Sequence, residues 1–126
     1  MGQEVVSILI VDDEPDMGWA LENILKIKSY STQVVTSGTE AIELLRQRFF
    51  KLVFIDARLP DIDGLELSRL IKKKYPEVSL VLISGYFYSD DSVIKEALIE
   101  GLYAGFIGKP FEMEEVYKAA GNALGR

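Results

Sequence analysis

Short apolar runs alternate along this chain with longer segments whose apolar residues recur at helical spacing, and this alternation most restricts the possible folds. Such runs predict buried β-strands, and the spaced segments predict helices with one apolar face. The predicted strands cover residues 5–11, 31–36, 52–55, 80–83 and 103–107. Because strands that are apolar throughout must be covered on both faces, repeated strand–helix units predict a parallel sheet between two layers of helices.

Local signals predict where the intervening helices begin. Pro15 suits the first turn of a helix, and Ser37 with Glu40 three residues later matches a capping box. Five strand–helix units in 126 residues suit a flavodoxin-like, doubly wound (βα)5 sheet with strand order 2-1-3-4-5, and we expect a single domain over residues 1–126. The helical side chains predicted to pack inward include Leu67, Leu70 and Ile71, and Trp19, beside the inward stripe of the first helix, is also predicted to be a packing residue.

The composition excludes several kinds of site. The chain has no cysteine and no histidine, so disulfides, thiolate or imidazole metal ligands and catalysis by these side chains are ruled out. The formal net charge of −6 argues against direct nucleic-acid binding, which needs clustered basic residues on one face. No apolar run reaches the ~18 residues of a membrane span, and residues 1–4 are unlike a signal peptide, so we expect no membrane partner and a cytoplasmic location.

Polar residues follow the predicted strands at their carboxyl ends. Asp12 and Asp13 follow the first strand, Asp56 the third, Ser84 the fourth and Lys109 the fifth. In an open parallel sheet, ligands bind beyond these ends at the point where the strand order reverses, which here lies between strands one and three. We therefore expect three carboxylates to meet at this edge, with a hydroxyl and an ammonium nearby.

Carboxylates at such spacing repel one another. One of them is therefore expected to hold a proton unless a cation lies between them. A donor set made only of hard oxygens favours Mg²⁺, which keeps several waters and takes phosphate oxygens as further ligands. A lysine and a hydroxyl beside the ion would hold the oxygens of a transferring phosphoryl group. One of the carboxylates can then be the nucleophile, which gives an aspartyl phosphate.

Segments 11–14, 55–64, 84–85 and 108–111, in this order on successive strand ends, resemble the receiver domain of two-component response regulators, and the resemblance covers the whole chain. It implies that Asp56 is the phosphoacceptor. It also implies that Asp12, Asp13, Asp56 and the backbone carbonyl of Arg58 hold Mg²⁺. The implied phosphodonor is a sensor histidine kinase or a phosphotransfer protein.

The resemblance also implies how such a domain signals. Ser84 matches the hydroxyl that moves to the phosphoryl group, Lys109 pairs with that group, and Pro110 follows through a bond that is typically cis in this family. Phe106 matches the switch aromatic that turns inward when the hydroxyl moves. The face of the fourth helix, fifth strand and fifth helix would then change and control an output domain or partner, a homodimer included. The resemblance further implies that the domain is not otherwise an enzyme, because it would catalyse only its own phosphoryl transfer and slow autodephosphorylation.

Simpler explanations stand beside some of these residues. Asp12 and Asp13 can cap the helix that begins at Pro15, and turn and cap chemistry accounts for Asp61 and Asp63. The aromatic stretch at residues 86–88 either folds back on the following helix or forms a partner-binding patch.

The chain also departs from the family's usual pattern. The family usually has Gly-Ala before the last strand, where this chain has residues 102–103, Leu and Tyr. Bulky Arg58 and Tyr86 flank the expected path of the attacking water, which would lengthen the lifetime of the phosphoryl group.

Two other functions compete with a phosphorylation switch. A Mg²⁺-dependent phosphohydrolase resembling the haloacid dehalogenases would need a second acid two residues after the nucleophile, where this chain has Arg58. A degenerate receiver that only binds partners would lack part of the site, whereas every residue that the chemistry requires is in place. Residues 84–86 also resemble receivers attached to transcription regulators of the nitrogen-response type.

Overall fold

The computed structural model describes residues 5–85 and 92–125, apart from the side chains of residues 92–94 and 98. The predicted aromatic patch at residues 86–88 lies outside this description. The strands are β1 (Ser7–Val11), β2 (Ser31–Val35), β3 (Leu52–Asp56), β4 (Ser79–Ser84) and β5 (Gly105–Gly108). The helices are α1 (Pro15–Ile27), α2 (Gly38–Gln47), α3 (Gly64–Lys74), α4 (Ser92–Ile99) and α5 (Met113–Leu124).

The five strands form one parallel sheet in the order β2-β1-β3-β4-β5, which confirms the predicted flavodoxin-like topology. Alternate residues of a strand point to opposite faces of the sheet. Leu9 and Val11 of β1 lie in a core beneath α2 and α3, whereas Ile8 and Ile10 lie in a second core beneath α1 and α5. Both faces are thus closed by helices, and the carboxyl edge of the sheet is left as the place for a polar site.

The helix-start signals at α1 and α2 are observed with one change. Pro15 is the first residue of α1, and the Ser37 side chain accepts a hydrogen bond of 3.1 Å from the backbone N–H of Glu40 at the start of α2. The Glu40 carboxylate, however, accepts from the backbone N–H and the hydroxyl of Thr36 instead of from Ser37 N–H. These hydrogen bonds from Thr36 lower the pKa of Glu40 below its ordinary value.

Two predicted strands begin two residues too early, whereas the other predicted boundaries agree with the structure to within one residue. The first strand begins at Ser7, where pairing with β2 begins, and Val5 lies before it with 66% of its surface exposed. The last strand begins at Gly105 and not at Tyr103, whose buried ring turns toward α3 so that its hydroxyl donates a 2.8 Å hydrogen bond to Ser68 Oγ. Apolar character alone therefore overestimated both strands, because pairing partners decide where a strand begins.

Two of the four helical side chains predicted to be packing residues are exposed. Leu67 and Ile71 are buried as predicted, since four residues bring a helix back to the same face. Leu70 is 47% exposed because it lies at the margin of that face, where it lines a groove between α2 and α3. Trp19 is 67% exposed, because the buried face of α1 is formed by its neighbour Gly18 together with Leu21 and Leu25.

Within the part of the chain that the structure describes, no helix combines the length and the apolar character that crossing a membrane would require.

Candidate functional site

The carboxyl edge of the sheet brings polar residues from four strands to one pocket. Asp56 and Ser84 end β3 and β4, while Asp13 and Lys109 follow β1 and β5 by two residues and one residue. The parallel register aligns these ends, since Asp56 pairs with Ile83 and Ser84 with Gly108. The open pocket has a volume of about 250 Å³. It is lined by Asp13, Glu14, Asp56, Arg58, Ser84, Gly85 and Lys109.

The ammonium of Lys109 contacts three carboxylates in or beneath this pocket. Its Nζ donates hydrogen bonds to Glu14 Oε1 at 2.6 Å and to Asp56 Oδ2 at 3.0 Å. It also forms an ion pair with Asp12 Oδ2 at 3.0 Å. Burial opposes the charged form of this lysine, but its contacts with Glu14, Asp12 and Asp56 outweigh that effect and raise its pKa above the ordinary value. The peptide bond to Pro110 is cis.

Asp12 lies fully buried beneath the pocket. Its Oδ1 accepts a 2.9 Å hydrogen bond from the backbone N–H of Glu14, and this bond helps to set the turn into α1. Burial raises the pKa of Asp12 to about 6, although the Glu14 N–H and the Lys109 ammonium act in the opposite direction. Its carboxylate is therefore costly to keep charged without a further cation.

Asp56 is held from both its side chain and its backbone. It is almost fully buried, and its Oδ1 accepts a 3.1 Å hydrogen bond from the backbone N–H of Arg58. Gly64, the first residue of α3, packs so closely that a Cβ there would overlap the Asp56 carbonyl oxygen and lie 2.8 Å from Ala57 Cα. The Gly64 N–H also donates a 3.0 Å hydrogen bond to the Ala57 carbonyl. Together these contacts fix the end of β3 against the start of α3.

The three aspartates can hold one cation. Asp12, Asp13 and Asp56 each offer a carboxylate oxygen, and these oxygens all lie within 4.8 Å of one another. Asp12 Oδ2 is buried and accepts no hydrogen bond from any residue that the structure describes. Hard oxygen donors around such a buried acceptor fit a divalent cation of the Mg²⁺ type, which prefers carboxylates and water.

Most of the predicted site residues lie in or directly beneath the pocket, and one does not. Phe106 lies opposite Leu82 in the pairing of β4 and β5, where it is 38% exposed, and it does not line the pocket. A larger groove of about 470 Å³ lies between α2 and α3, but its lining is mostly apolar and includes no residue from a strand end.

Sequence reasoning missed two residues of the site. Glu14 was given no role, yet it makes the shortest of the Lys109 contacts. Gly64, which ends one of the segments that carry the resemblance, was also given no role, yet it supports the Asp56 backbone. The signal for Gly64 was present in the sequence, since a glycine at the start of a helix next to a functional strand end often marks a close backbone approach.

The strand order and this acidic edge, with a lysine and a serine facing three aspartates, define a signal-receiver domain. A family model for the response regulator receiver domain matches residues 8–121, and the chain belongs to that family. The family that the sequence motifs resemble is thereby confirmed.

The relatives found by sequence comparison are regulators of greater length. The chain is 37% identical over 119 residues to the nitrogen assimilation regulatory protein NtrX of Azorhizobium caulinodans. It is 31% identical over 117 residues to the C4-dicarboxylate transport transcriptional regulatory protein DctD of Rhizobium meliloti. Each alignment covers 93% of this chain, but 26% and 25% of the two relatives. The chain thus spans about a quarter of the length of these curated relatives.

Solved receiver structures superimpose over nearly the whole chain. The receiver domain of NtrX from Brucella abortus is 34% identical, with a TM-score of 0.85, and the match covers 94% of this chain and 98% of that one. The signal receiver domain of an HD domain-containing protein from Pseudomonas fluorescens Pf-5 is 30% identical, with a TM-score of 0.88 and coverage of 97% and 96%.

Proposed function

We propose that this chain accepts a phosphoryl group on Asp56 from a sensor histidine kinase or a phosphotransfer protein, and so acts as a phosphorylation-activated switch. The observation that carries the proposal is the 3.0 Å contact between Lys109 Nζ and Asp56 Oδ2, beside a pocket that also contains Ser84. A carboxylate nucleophile, an ammonium and a hydroxyl around one small open pocket are the groups that phosphoryl transfer to a carboxylate requires.

The proposed transfer is a displacement at phosphorus. An oxygen of the Asp56 carboxylate forms the new P–O bond while the P–N bond of a phosphohistidine on the donor breaks, and the released imidazole takes a proton from solvent. Lys109 and the Ser84 hydroxyl bind phosphoryl oxygens on which charge accumulates. Because these 126 residues include no histidine, the phosphohistidine would lie outside them.

Asp12, Asp13, Asp56 and the backbone carbonyl of Arg58 would hold Mg²⁺ in this proposal. When bound, Mg²⁺ supplies positive charge that offsets the repulsion between the acidic cluster and the incoming phosphoryl oxygens. The assignment is supported by the oxygens of Asp12, Asp13 and Asp56, which lie within 4.8 Å of one another, because the single ammonium of Lys109 does not balance three negative charges.

Phosphorylation would shift a two-state equilibrium of the domain. Ser84 is proposed to move to the phosphoryl group, and Phe106 on the neighbouring strand is proposed to turn inward. The partial exposure of Phe106 supports this role, since an inward turn would bury apolar surface that is now exposed. The face formed by α4, β5 and α5 would then contact an output domain or partner, a homodimer included.

The lengths and names of the relatives support a regulator with a separate output domain, since DctD is a transcriptional regulatory protein. With a net charge of −6, this domain is proposed to have no direct contact with nucleic acid and to act in the cytoplasm. We further propose that it is a phosphoacceptor and not an enzyme with a separate substrate, and that its phosphoryl group is lost slowly to water. The Arg58 side chain lines the pocket and would hinder that water.

Intact mass after incubation with acetyl phosphate tests the proposal. We expect one added phosphoryl group on the wild type with Mg²⁺, and none without Mg²⁺ or on D56N. The decay of the adduct tests the role proposed for Arg58. If no adduct forms, release of inorganic phosphate in the same tube separates the alternatives: steady release indicates a phosphohydrolase, and no release indicates a domain that only binds partners.

A further inference from the structure

Glu14 makes the shortest contact of Lys109, at 2.6 Å, compared with 3.0 Å for each of Asp12 and Asp56. Glu14 is the N-cap residue of α1, but its side chain accepts no capping hydrogen bond from that helix. Its carboxylate is instead directed to a lysine 95 residues further along the chain. A residue placed to stabilise its own helix thus interacts with the pocket.

An ammonium has three N–H donors, and Lys109 already faces three carboxylates. A phosphoryl group on Asp56 would bring new oxygen acceptors to the same ammonium, and these oxygens would compete with the carboxylates for its three N–H groups. Asp12 is buried and Asp56 carries the new group. The Glu14 side chain is 59% exposed, compared with 0% for Asp12 and 6% for Asp56, so of these three carboxylates it can most easily turn to water.

We propose that Glu14 is a positioning residue that holds Lys109 in the unphosphorylated domain and is displaced from it by the phosphoryl group. This inference rests on the proposed function of Asp56. The Glu14 carboxylate competes for the ammonium and repels the phosphoryl oxygens, so it favours the unphosphorylated state. Removing its charge is therefore expected to tighten binding of a phosphoryl group, whereas a residue that only supported the fold would loosen it.

The test compares E14Q with wild type in binding beryllofluoride, a phosphoryl analogue, with Mg²⁺ present, by isothermal titration calorimetry. A partly exposed ion pair predicts a dissociation constant about three- to fivefold lower for E14Q. Because salt screens exposed charges, the difference is expected to shrink as the ionic strength rises. E14A also removes the carboxylate, and we expect it too to bind beryllofluoride more tightly than wild type does.

D16N is the matched control, because it removes one exposed negative charge from the first turn of the same helix. We expect D16N to bind beryllofluoride as wild type does. Equal tightening in D16N and E14Q would overturn the proposal in favour of a general charge effect. Unchanged or weaker binding by E14Q and E14A would also overturn it, provided that both variants unfold at the temperature of wild type.

The same experiments separate this inference from the proposal on which it rests. If acetyl phosphate gives no Asp56-dependent adduct on wild type, the proposed function fails. If wild type forms the adduct and E14Q binds beryllofluoride no more tightly, the proposed function stands and the role given to Glu14 is wrong.

Discussion

The carboxylate of Asp61, in the loop after β3, caps α2 by accepting a 2.6 Å hydrogen bond from the hydroxyl of Thr39, 22 residues earlier in the chain. The backbone N–H groups of Gly38 and Thr39 each donate a further hydrogen bond of 2.9 Å to it. The hydrogen bonds from Thr39 and Gly38 lower the pKa of Asp61 to about 2. The loop that leaves Asp56 is thus tied to a neighbouring helix.

We expect D61N to lower the thermal unfolding midpoint at neutral pH, because an amide has one acceptor oxygen where the carboxylate has two. The folded-state pKa of about 2 lies below the ordinary value of 3.8, so the stabilisation is present above that ordinary value and is lost as the pH falls toward about 2. The difference in midpoint between wild type and D61N should therefore narrow across this window, as measured by circular dichroism. E114Q, which removes a charge from the first turn of α5, controls for charge loss near a helix N-terminus. A difference that stays constant down to about pH 2.5 would refute the predicted linkage.

Removing the buried hydroxyl of Tyr103 is expected to lower the free energy of unfolding, whereas removing that of Tyr117 is not. Tyr103 donates to Ser68 Oγ, and burial raises the pKa of Tyr103 to about 12, so the hydroxyl remains a donor at neutral pH. Y103F should lower the free energy of unfolding by about 1 kcal/mol. The hydroxyl of Tyr117 is buried without a hydrogen-bond partner among the described residues, so Y117F should be neutral or stabilising. Urea denaturation measures both, and equal losses in the two variants would contradict the assignment.

Gly64 is expected to be intolerant of even a methyl group. In G64A the new Cβ meets the backbone of Asp56 and Ala57, which cannot move aside as a side chain can. We expect a loss of about 1–3 kcal/mol in the free energy of unfolding, although alanine is the better helix former. G105A is the control, since a Cβ there lies 3.8 Å from Val81 and 3.9 Å from Ala119. Chemical denaturation of both variants checks this, and a G64A protein as stable as wild type would show that the contact is not restrictive.

The sequence allowed the fold and the neighbourhood of the site to be predicted because both depend on strand ends. Asp12, Asp56 and Lys109 adjoin apolar strands, and parallel pairing brings such ends together whatever the loops do. The role of Gly64 could not be deduced, because close approach of two backbones appears only in three dimensions. The contact between Glu14 and Lys109 could not be predicted for a related reason. An exposed side chain at the start of a helix has several possible partners, and the sequence does not show which one it contacts.

The wrong predictions at a strand boundary and at the edges of the buried helix faces also arise because contacts between elements are not visible in the sequence. The apolar pattern placed Val5 in a strand, but β1 begins only at Ser7, where its pairing with β2 begins. Leu70 fits the helical period but lies at the edge of its buried stripe, and Trp19 lies beside the residue that faces the sheet. Periodicity thus gives the direction of a buried face, whereas the width of that face depends on how closely the neighbouring helices approach.

The order of the strands along the chain determines when, during synthesis, the pocket is completed. The acids at β1 and β3 are synthesised early, but their lysine follows β5, near the end of the matched region. A chain still emerging from the ribosome, or one whose last strand has peeled away, has the acids without the ammonium that offsets their charge. The pocket is therefore complete only on a finished, folded domain, and an incomplete copy lacks the ammonium that the proposed phosphoryl transfer needs.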